Sequence, residues 1–483
     1  MIHGGTPVTS SISRRNLMRT GAVGGLGLVA AGSMDVLAGT AAQATSRSAT
    51  GYGAVIADPA GLLALPKGFS YKIIAQTGVT TLESGEPTPG APDGTASFPT
   101  RNGGSVLVNN HELSGAAANP VPHIADYTYD PGAPGGTTNI VVDRKGNRVR
   151  EYVSLAGTLT NCAGGYTPWG TWLTCEETEQ KANATYKYDH GHVFEVDPVD
   201  QAANKNPVPL KFLGRFAHEA VSVDPKTAEI FLTEDASSPH GLFYRWTPPK
   251  RFRAGKGALR ALALSAGGDT AGSLQALSAS NGSQHIVDLS EATTVGTRYK
   301  VSWVDVPDRS AATVSIRKQF TTDQVTNSRK LEGTWWGDGG VYFVCSYARV
   351  SDGSPKEHDG QVWFYNPNNE TITLKVIFGL NLDPTQDVDF DGPDNITVSP
   401  YGGLILAEDG EGVSHLIGVT KKGTAYALAR NELNESEFTG PNFSEDKKIL
   451  FANIQTPGYV LAITGPWDGC DDRDYHDPRG DHR

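Results

Sequence analysis

The sequence predicts an all-β protein, and more specifically a six-bladed β-propeller with loop insertions. Two observations carry this prediction: strand-like runs recur along the chain between turn residues, and no long amphipathic helix is visible. The composition agrees, because 56 Gly, 29 Pro and 17 Tyr supply turns and strand-forming aromatic side chains, and 38% hydrophobic residues suffice for a large core. The one interruption is a short helix or loop excursion expected around 258–278.

The predicted strands are short, apolar and bounded by Gly, Pro, Asn or Asp. They cover Ser105–Asn109, Asn139–Val142, His192–Val196, Glu229–Thr233, Gly241–Trp246, Gly340–Cys345, Gln361–Tyr365, Thr371–Ile377, Gly403–Ala407, Thr424–Ala429 and Lys448–Asn453.

Three segments read as variants of one unit, a small turn followed by a buried strand. They begin at Val221, Val398 and Phe443, and Ser399 and Ser444 within them lie 45 positions apart, the length of one four-stranded propeller blade. A sandwich of β-sheets is the rival architecture, but it does not explain why acidic pairs end the repeated strands. In a propeller the innermost strands converge on a central channel, where such acids can bind cations.

The chain begins with the pattern of a twin-arginine export signal. Arg14-Arg15 precedes a weakly apolar stretch rich in Gly and Ala, which is followed by the small-x-small sequence Ala42-Gln43-Ala44. Asp35 interrupts a segment that is already too short to span a membrane. We therefore expect a signal peptide over 1–44, a single propeller domain over 45–470 and a polar tail over 471–483, in a protein that is secreted or periplasmic and has no membrane anchor.

The charge and the cysteine content exclude several classes of function. A net charge of −12 disfavours nucleic acid and anionic membranes as partners. Four cysteines without a CxxC pair exclude a disulfide scaffold and a zinc ribbon. We expect the twin-arginine machinery and small-molecule substrates as partners, and we expect a monomer.

The segment Cys175-Glu176-Glu177 places a thiol directly beside two carboxylates. A soft sulfur ligand and hard oxygen ligands together suit a mixed metal centre. A lone cysteine is otherwise most simply a small buried hydrophobic residue, but two acidic neighbours are costly in an apolar core unless they are paired or ligated.

A second acidic stretch, Asp387–Gly392, has the opening of a calcium-binding EF-hand loop. Its twelfth position is Val398 in place of Glu, so the match is weak. Two interpretations stay open: an ordinary acidic surface loop, or a calcium site in which Asp391 or Asp394 joins the central cluster.

Several phrases occur in an order that resembles the PhoX-type alkaline phosphatase family. They are Val108–Glu112, Thr167–Glu177, Leu213–Glu219, Lys330–Trp335, Phe390–Asn395, Leu404–Asp409 and Asn453–Gly458. The resemblance spans roughly 55–465. It implies a six-bladed propeller that hydrolyses phosphomonoesters with a centre of ferric (Fe3+) and calcium (Ca2+) ions.

By this resemblance Cys175 is the thiolate that bridges the irons, and Glu219 and Glu332 are metal-binding carboxylates with a catalytic role. Glu176, Glu408 and Asp409 are further metal-ligand candidates, followed by Glu112 and Glu177. Lys330 is the expected phosphate-binding residue. Members of this family have a segment similar to Arg-Pro-Glu at this position, whereas this chain has Lys330-Leu331-Glu332. The lysine keeps the positive charge of the arginine but cannot form its planar, two-pronged hydrogen bond.

Two other functions fit the same sequence. One is a calcium-dependent propeller hydrolase of lactones or phosphotriesters, which needs calcium but no iron. The other is a propeller that binds a ligand or partner without catalysis, for which the lysine at position 330 is the indication. No GxSxG elbow, HExxH helix or phosphate-binding Walker loop supports a further chemistry.

Overall fold

A computed structural model of the chain describes residues 51–383 and 389–467. The predicted signal peptide and the predicted tail lie outside these ranges. So do 384–388, which include the first residue of the EF-hand-like stretch, Asp387.

The described residues form an all-β fold of short strands. In chain order these are β1 (Val55–Ile56), β2 (Leu63–Pro66), β3 (Ser70–Gln76), β4 (Pro92–Pro99), β5 (Ser105–His111), β6 (Gly135–Val142), β7 (Arg148–Thr158), β8 (Asn161–Tyr166), β9 (Trp172–Glu176), β10 (Val193–Val196), β11 (His218–Val223), β12 (Ile230–Glu234), β13 (Phe243–Thr247), β14 (Ser273–Asn281), β15 (Gln284–Ile286), β16 (Arg298–Asp305), β17 (Leu331–Gly337), β18 (Gly340–Cys345), β19 (Gly360–Asn366), β20 (Thr371–Phe378), β21 (Pro393–Val398), β22 (Leu404–Glu408), β23 (His415–Val419), β24 (Ala425–Asn431), β25 (Phe438–Phe443), β26 (Ile449–Ile454) and β27 (Tyr459–Thr464).

Helical structure in the described residues is sparse. One α-helix, α1 (Ala258–Ala263), lies in the excursion that the sequence predicts, and β14 begins later in the same stretch. Short 3-10 helices cover Ala125–Tyr127, Gln201–Asn204, Lys211–Leu213, Gly268–Thr270, Leu289–Glu291, Ile316–Gln319 and Val350–Asp352. Within the described ranges no helix has both the length and the apolar character needed to cross a bilayer.

The sheets are arranged around a central axis, as in a propeller. The strands β4, β8, β11, β17, β21 and β25 each lie at one end of their sheet path and contact one another in a closed ring. The remaining strands follow outward by antiparallel pairing, for example β8 to β9 to β10. One pairing, between β16 and β20, joins two neighbouring sheets into a longer path.

Apolar side chains fill the spaces between successive sheets. Leu173 on β9, Val221 on β11 and Tyr244 on β13 share one such cluster, which joins the β8–β10 sheet to the next sheet. The second strand of each sheet is buried on both faces, and β26 (ILFANI) therefore reads as a nearly continuous apolar run. This is the kind of strand that the sequence analysis detects.

The ring of sheets closes between the two ends of the described chain. β3 pairs with β27 in an antiparallel register that runs from Ser70 opposite Thr464 to Gln76 opposite Tyr459. Strands β25, β26, β27 and β3 thereby form one four-stranded sheet. Residues close to the two ends of the described chain thus complete the same structural unit.

All of the predicted strands coincide with observed ones, most within one or two residues at each end. The run Gly340–Cys345 matches β18 at both ends. The six ring strands are absent from the predicted set, and so are several others, including β3, β7, β9, β14, β16, β23 and β27. Ring-strand sequences, such as PDGTASFP in β4 and NCAGGY in β8, lack the apolar pattern of a buried strand.

Close packing between ring strands yields a stability prediction at Gly165 on β8. A Cβ at this position would lie 1.9 Å from the carbonyl oxygen of Val221 on the neighbouring ring strand. We expect Gly165→Ala to lower the free energy of unfolding by about 1–3 kcal/mol, because the backbone of β11 must move. The measurement is urea unfolding followed by tryptophan fluorescence.

Gly255→Ala is the matched control, since nothing lies within 4 Å of the position of its Cβ. Its free energy of unfolding should change by no more than about 1 kcal/mol. Equal effects of the two substitutions would contradict the tight contact between β8 and β11.

Candidate metal centre

The same irregularity occurs near the start of every ring strand. The pairing register to the second strand shifts after the first or second residue, so that two residues are left out of the ladder. In five of the six strands the first of these two residues carries a carboxylate or a thiol. A β-bulge of this kind redirects a side chain away from the sheet faces. The residues redirected in this way are Asp93, Cys162, Glu219, Glu332 and Asp394.

We call these five residues the deep ring, because all of them are buried. Oxygen atoms of Glu219, Glu332 and Asp394 lie within 4.8 Å of one another. The sulfur of Cys162 lies 3.3 Å from Oε1 of Glu219, and it lies within 4.8 Å of carboxylate oxygens of Glu112 and Glu177. Two separate sets of atoms could therefore each hold a metal ion, one of Glu219, Glu332 and Asp394 and one of Cys162 with Glu112 and Glu177.

A second layer, the rim, consists of partly exposed residues. Four of its acids directly follow the last residue of a second strand, and one precedes a ring strand. These acids are Glu112, Glu177, Asp235, Asp409 and Glu437. Gln455 belongs to the same layer, and its amide donates hydrogen bonds of 2.9 Å to Asp93 in the deep ring and of 2.9 Å to Glu112 in the rim.

Burial and mutual repulsion raise the pKa of the carboxyl groups at this centre. Burial, followed by the charges of Glu332 and Asp394, raises the pKa of Glu219 well above its usual range. Burial and the charge of Asp409 raise the pKa of Glu112 to about 7. Burial likewise raises the pKa of the Cys162 thiol, so that without a cation the thiol keeps its proton. A cation is the natural replacement for these protons.

Lys330 supplies positive charge among these carboxyl groups and acts on their pKa values. Its ammonium nitrogen lies 2.6 Å from Oδ2 of Asp235 and 2.9 Å from Oε1 of Glu332. Burial alone would lower the pKa of Lys330, but the charges of Asp235, Glu332 and Glu177 raise it well above its usual value. The backbone φ of Lys330 is 44°, a left-handed conformation that is uncommon for a long side chain and is typical of functional sites.

The donor set fits multivalent metal ions. Carboxylate oxygens suit calcium, and a thiolate among them suits a softer ion such as iron. Oδ1 of Asp93 is buried and has no hydrogen-bond partner among the described residues, which leaves this oxygen available to a cation.

The structure brings several of the predicted site residues together. Glu219 and Glu332 lie side by side in the deep ring, and Lys330 contacts Glu332. Asp409, Glu112 and Glu177 lie in the rim. Of the two acids considered in the EF-hand-like stretch, Asp394 belongs to the deep ring. Asp391 instead accepts a hydrogen bond from the backbone of Glu411.

The position of Cys175 differs from the prediction. This residue is the fourth of β9, a second strand, and its side chain lies on the same face as Leu173. Both side chains pack in the apolar cluster between two sheets. The sulfur among the carboxylates belongs instead to Cys162, in the bulge of β8. These surroundings agree with the alternative interpretation of Cys175 as a small buried hydrophobic residue.

Glu176 and Glu408, also predicted as metal ligands, lie outside the two groups of candidate ligand atoms among the described residues. Glu176 accepts hydrogen bonds from the backbone of Leu159, Gly191 and His192 and from the ring of His190. These four donors occupy its two oxygens.

Glu408 is surrounded in a similar way. It accepts hydrogen bonds from the backbone of Asp391 and from both the backbone and the ring of His415. Each of the two glutamates is buried and belongs to the hydrogen-bonding of its own sheet.

Sequence reasoning missed some members of the centre, namely Asp93, Cys162, Asp235, Glu437 and Gln455. A signal for two of them was present. In the deep ring a carboxylate or thiol is followed by a small residue, as in Asp93-Gly94, Cys162-Ala163 and Glu332-Gly333. At Gly94 a Cβ would lie 2.5 Å from Cα of Ala163, so that bulge requires glycine.

Comparison with known proteins identifies similar sequences and folds. A sequence model of the family described as alkaline phosphatase PhoX matches residues 50–458. No curated protein matches the chain.

Several solved structures resemble the fold. PhoX from Pseudomonas fluorescens, determined in complex with vanadate, a transition-state analogue, matches with a TM-score of 0.63 and 18% identity over 88% of this chain and 99% of that one. A gluconolactonase from Xanthomonas campestris matches with a TM-score of 0.41 and 9% identity over 85% of this chain and 94% of that one.

The raised pKa values predict that metal binding competes with protons. Because the pKa of Glu112 is raised to about 7, its carboxyl group is largely protonated at pH 6 and must lose the proton before it can bind Ca2+. We expect the apparent affinity of the metal-free protein for Ca2+ to rise between pH 6 and pH 8, with proton release on binding. Calorimetric titration in buffers of different ionisation enthalpy measures both quantities.

Glu112→Gln should reduce the number of protons released, since its amide carries no titratable proton. A Ca2+ affinity that does not change over this pH range would contradict the competition.

Proposed function

The chain belongs to the PhoX family of alkaline phosphatases, and we propose that it is an exported phosphomonoesterase that holds a polynuclear iron–calcium centre in its deep ring and rim. The observation that carries this proposal is the convergence of carboxylates and the Cys162 thiol on one axis around Lys330. The enzyme class follows from the family, whose sequence model covers residues 50–458.

The residues proposed to hold metal differ in part from the sequence-based set. Glu219, Glu332 and Asp394 would hold one part of the centre, and Glu112, Cys162 and Glu177 another. Asp409 would contribute from the rim. Cys162 takes the role of the thiolate ligand that the resemblance assigned to Cys175, because Cys162 lies among the carboxylates. Ferric and calcium ions at these positions would neutralise the phosphoryl oxygens and offset charge on the attacking and leaving oxygens.

Lys330 is proposed to bind the phosphate of the substrate. A lysine has three ammonium hydrogens, and two of those of Lys330 are directed at Asp235 and Glu332. The third remains for a phosphate oxygen at the partly exposed mouth of the site. As a single point charge, Lys330 places fewer geometric demands on the substrate than an arginine would.

We further infer that the propeller has six blades. Six ring strands contact one another in a closed circuit, and each is followed outward by an apolar second strand. The domain limits 45–470, export through the twin-arginine machinery and the monomeric state stay predictions from the sequence.

Two of the buried cysteines, Cys162 and Cys175, allow a matched test of the metal centre. Cys162→Ala should abolish bound iron and phosphate release from p-nitrophenyl phosphate at alkaline pH, because the thiolate ligand is removed. Cys175→Ala removes a thiol from an apolar cluster and should keep both properties. The measurements are metal analysis of protein purified without added metal and a phosphate assay on the same samples.

The opposite result, with iron lost in Cys175→Ala and kept in Cys162→Ala, would restore the sequence-based assignment. A wild-type protein that is fully active without iron would contradict the iron–calcium centre and leave a calcium-only hydrolase.

The role of Lys330 is tested by two substitutions. Lys330→Ala should lower kcat/KM for p-nitrophenyl phosphate about 10- to 100-fold, because a hydrogen bond to a charged group is worth about 1.5–3 kcal/mol. Lys330→Arg should keep most of the activity, since it preserves the charge. Substitution of the exposed Lys226 by Ala is the control and should have no effect. Unchanged kinetics in Lys330→Ala would exclude phosphate binding by this residue.

A further inference from the structure

Three second strands end in a glutamate that is followed directly by an acid of the rim. The pairs are Glu176-Glu177, Glu234-Asp235 and Glu408-Asp409. Each glutamate is buried and each following acid is partly exposed. Side chains alternate in direction along a strand, so the two members of a pair point to different surroundings.

Each of these glutamates also lies opposite a bulge of a ring strand. Glu176 pairs with Asn161, the residue before Cys162. Glu234 pairs with His218, the residue before Glu219. Glu408 pairs in the same way with Pro393, which precedes Asp394. Each glutamate is thus in contact with the backbone that leads into one deep-ring residue and adjacent in sequence to one rim acid.

The hydrogen bonds of Glu176 connect separate segments around the site. Its Oε1 accepts from the backbone of Leu159, which precedes ring strand β8, at 3.0 Å and from Nδ1 of His190 at 2.6 Å. Its Oε2 accepts from the backbone of Gly191 and His192, which lead into β10, at 2.9 and 3.1 Å. One carboxylate therefore fixes the loop before β8 and the loop after Glu177.

Glu408 makes a corresponding connection in its own sheet, whereas Glu234 is held by side chains of β13 and of the 3-10 helix Ile316–Gln319. Glu408 joins the backbone of Asp391, just before β21, at 2.6 Å to the backbone and ring of His415, each at 2.7 Å. Glu234 accepts from the hydroxyl of Tyr244 at 2.6 Å and from Arg317 at 2.9 Å.

We propose that Glu176, Glu234 and Glu408 are positioning residues, each of which holds one rim acid and one deep-ring residue at the separation that the metal centre requires. This inference rests on the proposed function, because it assigns the glutamates to the support of the same centre. None of the three needs to touch a metal ion or the substrate. Outer groups that fix the ligands of a metal commonly change its affinity about 10- to 100-fold when they are substituted.

Substitution of glutamate by glutamine tests the role with little change in shape. In Glu176→Gln and Glu408→Gln an NH2 group faces backbone N–H donors in place of an oxygen, so the loops beside the site lose an anchor. We expect bound metal to be lost to excess EDTA about ten times faster than from the wild type. The KM for p-nitrophenyl phosphate and its pH profile should change as well. Metal release is followed by elemental analysis of the protein fraction over time.

Glu151→Gln is the matched control. Glu151 is also buried and hydrogen-bonded, to Thr88 and Thr138 at 2.8 Å each, but it precedes no acid of the rim. This substitution should lower the melting temperature and leave the rate of metal release within about twofold of the wild type. His190→Gln replaces the ring donor to Glu176 with a more flexible amide and keeps the carboxylate of Glu176, so it provides a milder variant if Glu176→Gln fails to fold.

Two results would overturn the inference. One is wild-type rates of metal release from folded Glu176→Gln, Glu408→Gln and His190→Gln. The other is equally fast release from Glu151→Gln at a similar loss of melting temperature. Failure of the proposed function is distinct, because it appears in the wild type itself as an absence of bound metal and of phosphatase activity.

Discussion

Repulsion among buried carboxylates is the constraint on which the centre of this fold depends. Two unit charges at about 5 Å repel each other by about 3 kcal/mol at an effective dielectric constant of 20. Glu219, Glu332 and Asp394 lie within such a distance of one another, and further acids surround them. Since whole domains are stable by only about 5–15 kcal/mol, several ionised pairs of this kind would cancel the stability of the fold. Protons or multivalent cations must therefore occupy the centre whenever the protein is folded.

The acidic pairs at strand ends were the most informative pattern in the sequence, and the structure divides each pair between two tasks. From the sequence, both Glu408 and Asp409 were metal-ligand candidates. In the fold, the first residue of the pair bonds to the backbone of its own sheet, whereas the second lies in the rim. Sequence alone cannot make this distinction, because the direction of a side chain at a strand end depends on where the strand stops.

Most second strands of the sheets were predictable and the ring strands were not, and burial explains both results. A second strand such as β18 is buried between sheets on both faces and must be apolar. Its apolar run can therefore be recognised in the sequence as a strand. A ring strand such as β21, with the sequence PDNITV, has a β-bulge near its first residue, where its pairing to the second strand is interrupted. This bulge carries an acidic residue. Its local sequence consequently resembles a loop, and the identity of Cys162 as the central sulfur was hidden in the same way.

Closure of the ring through β3 and β27 bears on the order of events during synthesis. β27 lies near the C-terminal end of the described chain, and the pairing between Ser70 and Thr464 can form only after the chain through Thr464 has been synthesised. Until then, the sheet that contains β25 and β26 lacks its two outer strands, β27 and β3. Completion of this sheet thus follows synthesis of the chain through Thr464, although no residue of β27 contributes a side chain to the deep ring or the rim.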